Sequence, residues 1–106
     1  MNYKVIQEVD APIQVKDWIK ANRSIENHIV IETNKKIYLV LTRGEKRTSG
    51  YEITIKSIDV KEKEIHIIFQ YKDPNPDQLL MQIITHPMLI LEMEKTDKTI
   101  VFHILR

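Results

Sequence analysis

Alternation between apolar and polar positions dominates the chain from residue 27 onward. Ile29 and Ile31 lie between less apolar or polar neighbours, and a period of two is typical of a strand with one buried face. Residues 3–9 alternate more loosely, which predicts a short edge strand ahead of the others. Alternation and short apolar runs predict about 7–8 strands in all, the later ones over 28–33, 36–42, 51–60, 65–71, 79–84, 88–94 and 98–105.

One segment near the N-terminus has a helical period instead. Asp10 can cap a first turn, and Pro12 fits that turn because the first backbone N–H groups of a helix have no partner. The side chains that follow recur at helical spacing, which predicts a helix over about 12–22. Trp18 is interpreted as the residue that anchors this helix in the core. The predicted inward stripe comprises Ile13, Val15, Trp18, Ile19 and Asn22.

The connections between the predicted strands are mostly short. The parity of the apolar positions changes near Ser57, and a β-bulge there would absorb the change. Residues 73–77 include two prolines, which cannot donate to a ladder and therefore end regular structure. The last two strands, 88–94 and 98–105, are predicted to form a hairpin over residues 95–97.

Residues 79–84 are apolar on both faces apart from Gln82. We interpret them as a strand, with a short helix as the alternative, because a short apolar run fits both structures. Such a run is either part of the core or the seam of a dimer. The sequence therefore leaves open whether the protein is a monomer or a homodimer.

Together these elements predict a single domain, 1–106, of the mainly β class, or α+β by count of elements. The length of the chain fits one core. The helix precedes a β core over about 28–105, and the regular spacing of strands and turns favours an antiparallel β-sandwich or a partly open barrel.

Composition and charge exclude several classes of protein. The chain has 106 residues, a net charge of +1 and no cysteine. This balanced charge favours neither nucleic acid nor an anionic membrane as a partner, and the lack of cysteine excludes disulfides and thiolate chemistry. The sequence contains no signal peptide and no membrane-spanning run. We therefore expect a cytoplasmic protein, with the cell envelope or secretion left open if the gene product is longer.

No catalytic pattern stands out. Ser24, Ser49 and Ser57 lack the G-x-S-x-G setting of a hydrolase nucleophile. The four histidines have no metal-ligand spacing, so no metal and no cofactor are expected. His66 and His103 lie in strands and are expected to face solvent or to make one structural hydrogen bond. The sequence favours a protein that is not an enzyme, with small-molecule binding or an uncharacterised enzymatic activity as alternatives.

Two loops carry unusual chemistry. Residues 47–51 combine hydroxyl side chains with a tyrosine and with Gly50, whose missing Cβ allows a turn or a close approach. In residues 85–88, Pro87 stiffens a short polar break. Loops on a rigid sheet often carry function, so we predict that both contact a partner protein; a purely structural turn at Gly50 is the alternative. The predicted contact residues are Arg47, Thr48, Ser49, Gly50, Tyr51, Thr85, His86, Pro87 and Met88.

These loops also carry a resemblance. Residues 38–53, with Tyr38, Gly44 and the sequence Thr48-Ser49-Gly50-Tyr51, resemble the Y-x-h-x-x-x-G-x-x-x-T-G-G-Y-x-h stretch of the PrcB-like family, where h is apolar. Residues 74–76 and 82–87 are similar to the proline-containing loop of that family and to its Q-x-h-T-x-P-Y stretch. The family is named for the C-terminal domain of a bacterial protease-complex stability protein.

The resemblance implies a non-enzymatic β domain that supports or binds another protein, with a protease as one candidate partner. Ser49 and Met88 depart from the family pattern, which has a glycine and an aromatic residue there. Thr48, Gly50 and Tyr51 are also similar to the N-P-T-T-G-Y loop of chagasin-type inhibitors of papain-like cysteine proteases. The G-x-G loop of those inhibitors has no counterpart here, and their R-P-W loop is matched only by a T-H-P sequence. Inhibition of a cysteine protease is therefore the alternative function.

Overall fold

The computed structural model describes residues 2–106. Within them it contains one α-helix, seven strands and a short 3-10 turn, Glu8–Asp10. The mainly β class, the N-terminal helix and the predicted number of strands are confirmed. In chain order the elements are β1 Tyr3–Ile6, α1 Ile13–Asn22, β2 Glu26–Glu32, β3 Lys36–Arg43, β4 Glu52–Val60, β5 Glu64–Lys72, β6 Met88–Glu94 and β7 Thr99–Leu105.

The described residues form two compact units. Unit 1 contains the described residues up to Glu45 together with His86–Thr96, and unit 2 contains Lys46–Thr85 and Asp97–Arg106. The chain therefore leaves unit 1 after β3, forms β4 and β5 in unit 2, returns for β6 and reaches β7 in unit 2.

Unit 1 is built on a four-stranded antiparallel sheet with the order β1-β6-β3-β2. The central strand β3 is buried along almost its whole length, so both of its faces are covered. One face packs against α1, in which Val15 and Ile19 are fully buried. Trp18 is only partly buried against the same cluster, so the two aliphatic side chains rather than the tryptophan anchor the helix. The cluster also contains Ala11, Tyr38, Val40 and Ile90.

α1 begins without the predicted cap. Asp10 ends the 3-10 turn, and Pro12 occupies the N-cap position with no side-chain hydrogen bond. The φ of Pro12 is −68°, which the proline ring sets, so the chain enters the helix through a stiff residue instead of a capping carboxylate. Among the described residues, no helix combines the length and the apolar character that a membrane crossing requires.

Unit 2 is built on a three-stranded sheet in which β5 lies between β4 and β7. β4 and β5 are antiparallel, and their register shifts between Ile55 and Ser57, which confirms the predicted bulge. Odd-numbered residues of β5 are buried and even-numbered ones are more exposed, because successive side chains point to opposite faces. The buried row is Ile65, Ile67, Phe69 and Tyr71.

The predicted hairpin of 88–94 with 98–105 is wrong. β6 pairs with β1 and β3 in unit 1, whereas β7 pairs with β5 in unit 2. The β5–β7 pair is parallel, and it is the one departure from antiparallel pairing among the described strands. The alternation along β7 fits either partner, since a side-chain period of two does not encode which strand lies alongside.

Residues 79–84 form neither the predicted strand nor the alternative helix. They lie in the long connection between β5 and β6, where strand-like pairing is limited to an isolated bridge between Lys46 and Thr85. An apolar run becomes a strand only where a neighbouring strand offers a continuous row of backbone partners. This run has apolar composition without such a row.

Candidate functional site

Two loops of unit 2 lie side by side: residues 46–51, here the glycine loop, and residues 74–85, here the apolar loop. The backbone N–H of Lys46 donates to the carbonyl of Thr85, and the N–H of Thr85 donates to the carbonyl of Lys46, both at 2.9 Å. The Thr85 hydroxyl donates to the Thr48 carbonyl at 2.8 Å. Thr85, a predicted site residue, therefore joins the two loops at one end.

A second connection involves Ser49 and Met81. The N–H of Ser49 donates to the Met81 carbonyl at 3.0 Å, and the Met81 N–H donates to Oγ of Ser49, also at 3.0 Å. A glycine in place of Ser49, as in the PrcB-like pattern, would keep the first bond and lose the second, because only the serine side chain carries the acceptor. The serine of this chain therefore gives the apolar loop an additional attachment.

Gly50 sets the direction of the glycine loop between these connections. Its φ is +98°, in the region that side chains with a Cβ rarely adopt. A Cβ built at this position would lie 2.9 Å from Leu80 Cδ2 and 2.9 Å from Pro74 Cβ. The apolar loop therefore packs directly against the Gly50 backbone, and the structural role proposed for this glycine is real.

The apolar loop presents large side chains to solvent although its backbone is held. Leu79 is 99 % exposed and Met81 is 63 % exposed. Ile83 and Ile84 are 46 % and 56 % exposed. Single exposed apolar residues are ordinary on a protein surface, but several close together in one segment mark an interaction site.

The glycine loop adds positive charge beside this apolar surface. Lys46 Nζ lies 5.2 Å from the centroid of the Tyr51 ring, within the range of a cation–π interaction. Arg47, the next residue along the same loop, is exposed. Within unit 2, Thr48, Ser49 and Gly50 of the glycine loop thus contact the apolar loop directly, Thr48 through Thr85, and Arg47 and Tyr51 lie on the glycine loop as well.

The other three predicted site residues belong to unit 1 and have partners there. Nε2 of His86 lies 3.7 Å from a carboxylate oxygen of Glu45. The Pro87 carbonyl accepts a hydrogen bond from the Arg43 N–H at 3.0 Å. Met88 begins β6 and packs, partly buried, against the core cluster of unit 1. Their contact with a partner protein stays a prediction.

Sequence reasoning missed two features. The first is the exposure of residues 79–84, although the prolines at 74 and 76 were a signal that this segment does not join a ladder. The second is the proximity of His66 and His103, whose ring nitrogens lie 2.8 Å apart. No local pattern signals this second pair, because it depends on the parallel pairing of β5 and β7.

In residues 2–106, no group of three or more histidine, aspartate or glutamate side chains is arranged to hold a metal ion. In unit 1, burial raises the pKa of Tyr38 above its ordinary value. The hydrogen bond to Glu92 and the negative charge of that residue raise the pKa of Tyr38 further. The Tyr38 hydroxyl donates to Oε2 of Glu92 at 2.9 Å, and a phenol held in its neutral form in this way acts as a structural donor.

Comparison with protein families places the chain. The sequence profile described as PrcB C-terminal matches residues 37–94, more than half of the 106 residues. The chain belongs to this family. The matched part of this PrcB C-terminal domain runs from β3 to β6 and includes both the glycine loop and the apolar loop. Comparisons with curated proteins and with solved structures found no match.

Proposed function

We propose that this member of the PrcB C-terminal family is a non-enzymatic interaction module whose contact surface is the glycine loop together with the apolar loop. The observation that carries the proposal is the exposure of Leu79 and Met81 on a backbone that Ser49, Thr85 and Gly50 hold in place. This combination distinguishes the surface from β5 of the same unit, where large side chains are buried in alternation.

The energetics favour association at this surface. Burying one large aliphatic side chain stabilises a complex by about 1.5–3 kcal/mol. The apolar loop offers four such side chains, each between 46 % and 99 % exposed. Association normally costs free energy for ordering the loops that make contact. Here the hydrogen bonds between the loops already order the backbone, so that cost falls mainly on the side chains.

The partner that we propose is another protein, with a protease as the candidate that the family resemblance implies. Its matching surface has an apolar pocket for Leu79 and Met81. Interfaces of this kind place a few anchoring side chains at the centre and polar groups at the rim. Arg47 is a suitable rim residue, because it is exposed and its guanidinium can bind a carboxylate in bidentate geometry.

Site-specific photo-crosslinking tests this proposal. A photoreactive phenylalanine analogue is placed at position 79 or, as a matched control, at position 9, where Val9 is 75 % exposed in unit 1. We expect position 79 to crosslink one defined protein in the source cells and position 9 not to do so. With that protein purified, L79S/M81S should weaken binding at least about tenfold, and V9S should leave it unchanged. Equal crosslinking from both positions, or full binding by L79S/M81S, contradicts the proposal.

The alternative, inhibition of a papain-type cysteine protease, can be tested on the same proteins. It is supported by the ordered Gly50 turn, which presents Thr48 and Tyr51 in the loop that resembles chagasin-type inhibitors. Inhibition assays with several such proteases decide between the functions. Loss of proteolysis that depends on Tyr51 supports inhibition, and unaffected proteolysis at micromolar protein excludes it for the proteases tested.

A further inference from the structure

The parallel pairing of β5 and β7 brings together three side chains that no catalytic or binding role explains. In the register, Glu64 lies beside Thr99 and Ile68 lies beside His103. Nδ1 of His66 lies 2.8 Å from Nε2 of His103, and Nε2 of His66 lies 3.0 Å from Oε1 of Glu64. A carboxylate and two imidazoles therefore form one hydrogen-bonded chain that links the two strands.

The two imidazole rings meet edge to edge. Their planes are inclined by only 17°, and their centroids lie 5.0 Å apart. A separation of 2.8 Å between facing nitrogens is too short for rings in face-to-face contact but is normal for a hydrogen bond. The rings are thus nearly coplanar, and one proton lies between Nδ1 of His66 and Nε2 of His103.

The position of each proton follows from the chain of bonds. An ionised Glu64 can only accept, so Nε2 of His66 carries a proton and donates it. In neutral His66 the other nitrogen, Nδ1, has a lone pair and accepts from the Nε2–H of His103. Both neutral rings are therefore Nε2–H tautomers, and the first added proton goes to Nδ1 of His103. While Glu64 stays ionised, a second added proton goes to Nδ1 of His66, where it removes the acceptor of the bond between the rings.

The distance between the facing nitrogens favours a proton over a metal ion. Two nitrogens bound to zinc at about 2.0–2.1 Å in tetrahedral geometry would lie about 3.3 Å apart. The observed 2.8 Å is shorter, and the rings point at each other in line rather than towards a common third position.

We propose that Glu64, His66 and His103 form a hydrogen-bonded chain that links β5 to β7 and takes up one proton without breaking, and that uptake of a second proton breaks this link. With one added proton, the bond between the rings becomes charge-assisted and the Glu64 carboxylate offsets the positive charge. With two, the facing nitrogens both carry hydrogens, and two cations stand side by side. The side-chain link between the strands is therefore strongest with one added proton and is lost in acid.

The neighbouring charges are consistent with one cation at this site. From β4, Asp59 lies opposite His66 in the register, and the turn after β4 places Lys61 Nζ 3.8 Å from Oδ2 of Asp59. From β7, the residues beside Glu64 and His66 are Thr99 and Val101, which carry no charge. Glu64 is thus the carboxylate in direct contact with this chain, through His66, and it compensates one positive charge and not two.

NMR of the imidazole nitrogens in 15N-labelled protein tests the proposal. At pH 8 we expect Nε2–H tautomers for both residues and a scalar coupling between Nδ1 of His66 and Nε2 of His103 across the hydrogen bond. On acidification the coupling should survive uptake of the first proton and disappear with the second, together with at least about tenfold lower protection of the β7 amides once the slower intrinsic exchange in acid is taken into account. His86, which has Glu45 nearby, serves as the matched histidine for comparison.

Variants separate the proposed role from a general loss of structure. H103Q removes the site of the first added proton, so His66 should take up a proton in the first step rather than the second while circular dichroism shows an unchanged fold. E64Q should shift uptake of the first proton to lower pH. An Nδ1–H tautomer at either histidine, the absence of the coupling at pH 8, or a His66 titration that H103Q leaves unchanged overturns the proposal. Displacement of the shared proton by equimolar Zn²⁺ at pH 7 also overturns it, because the site would then bind metal in preference to the proton.

Discussion

Two apolar runs of this chain have similar composition, but one is buried and the other is exposed. Residues 38–41 in β3 are buried at every position, with Leu39, Val40 and Leu41 completely inaccessible. Residues 79–84 are equally apolar, yet Leu79 is almost fully exposed. β3 has a neighbouring strand on each side, β2 and β6, whereas the second run has hydrogen bonds to a loop.

The comparison teaches that backbone partners, and not side-chain hydrophobicity, separate the core from the surface here. A strand paired on both sides fixes where each side chain points, and covering elements can then bury both faces. A run held by a few loop bonds keeps its shape but leaves its side chains in water. Exposure that persists on a held backbone is what a preorganised contact surface requires.

The largest effect is expected when the buried run is shortened. L39A removes a fully buried side chain and leaves a cavity in a strand covered on both faces. We expect the free energy of unfolding to fall by about 2–5 kcal/mol, measured by urea denaturation. A loss below about 1 kcal/mol would show that the burial of this run does not govern stability.

The second largest effect is expected for G50A, which disturbs the contact between the exposed run and the Gly50 backbone. The variant forces a residue with a Cβ to φ +98° and places that Cβ 2.9 Å from Leu80 and Pro74. We expect a loss of about 1–3 kcal/mol in the same measurement. G44A is the matched control: its φ is also positive, but its closest new contacts are at 3.4 Å, so it should lose less. Equal losses would mean that backbone conformation alone matters.

A smaller effect comes from the polar group inside the buried run. Y38F removes the hydroxyl that donates to Glu92, and we expect a loss of about 1–2 kcal/mol near neutral pH. The raised pKa of Tyr38 gives the sign of the pH dependence. The folded protein holds the phenolic proton more tightly than the unfolded chain, so the contribution is present below pH 10 and is lost as the pH rises beyond it.

Urea denaturation of wild type and Y38F at pH 8 and pH 11 checks this contribution. The advantage of the wild type should shrink at pH 11, since other titrating groups affect both proteins alike. The same difference at both pH values would show that the Tyr38 hydroxyl is not linked to stability through its proton.

Removal of one bond between the loops should cost less still. T85V keeps the shape of the side chain and removes the donor to the Thr48 carbonyl. We expect a loss of about 0.5–1.5 kcal/mol, with faster amide exchange at Ser49 and Met81 measured by NMR. Unchanged exchange would show that this hydroxyl does not order the loops.

The smallest effect on stability is expected in the exposed run itself. L79S should change the free energy of unfolding by no more than about 0.5 kcal/mol, because the Leu79 side chain is almost fully exposed in the folded protein. L39A and L79S each replace one leucine, one in the buried run and one in the exposed run. The expected loss in the free energy of unfolding is large for the first and small for the second. A loss for L79S as large as that for L39A would place residue 79 in a core and remove the surface proposed here.

Much of the fold was predictable because local patterns encode local structure. The helical spacing of Val15 and Ile19, the parity change at Ser57 and the family resemblance around Gly50 each predicted a feature that is present. At the candidate site, the glycine turn was predicted from composition. The exposure of residues 79–84 was not, since an apolar run carries no information on whether a neighbouring strand will pair with it.

The sequence by itself determined most of the elements: the seven segments that are strands, though it added residues 79–84 to them, where the helix lies, that Gly50 makes a turn, and the family to which the chain belongs. Tertiary structure alone decided the partners of those elements, above all the parallel pairing of β5 with β7. A period of two tells each strand which side chains share a face but not which strand lies beside it. His66 and His103, 37 residues apart in the chain, therefore meet only because of a pairing that no local pattern contains.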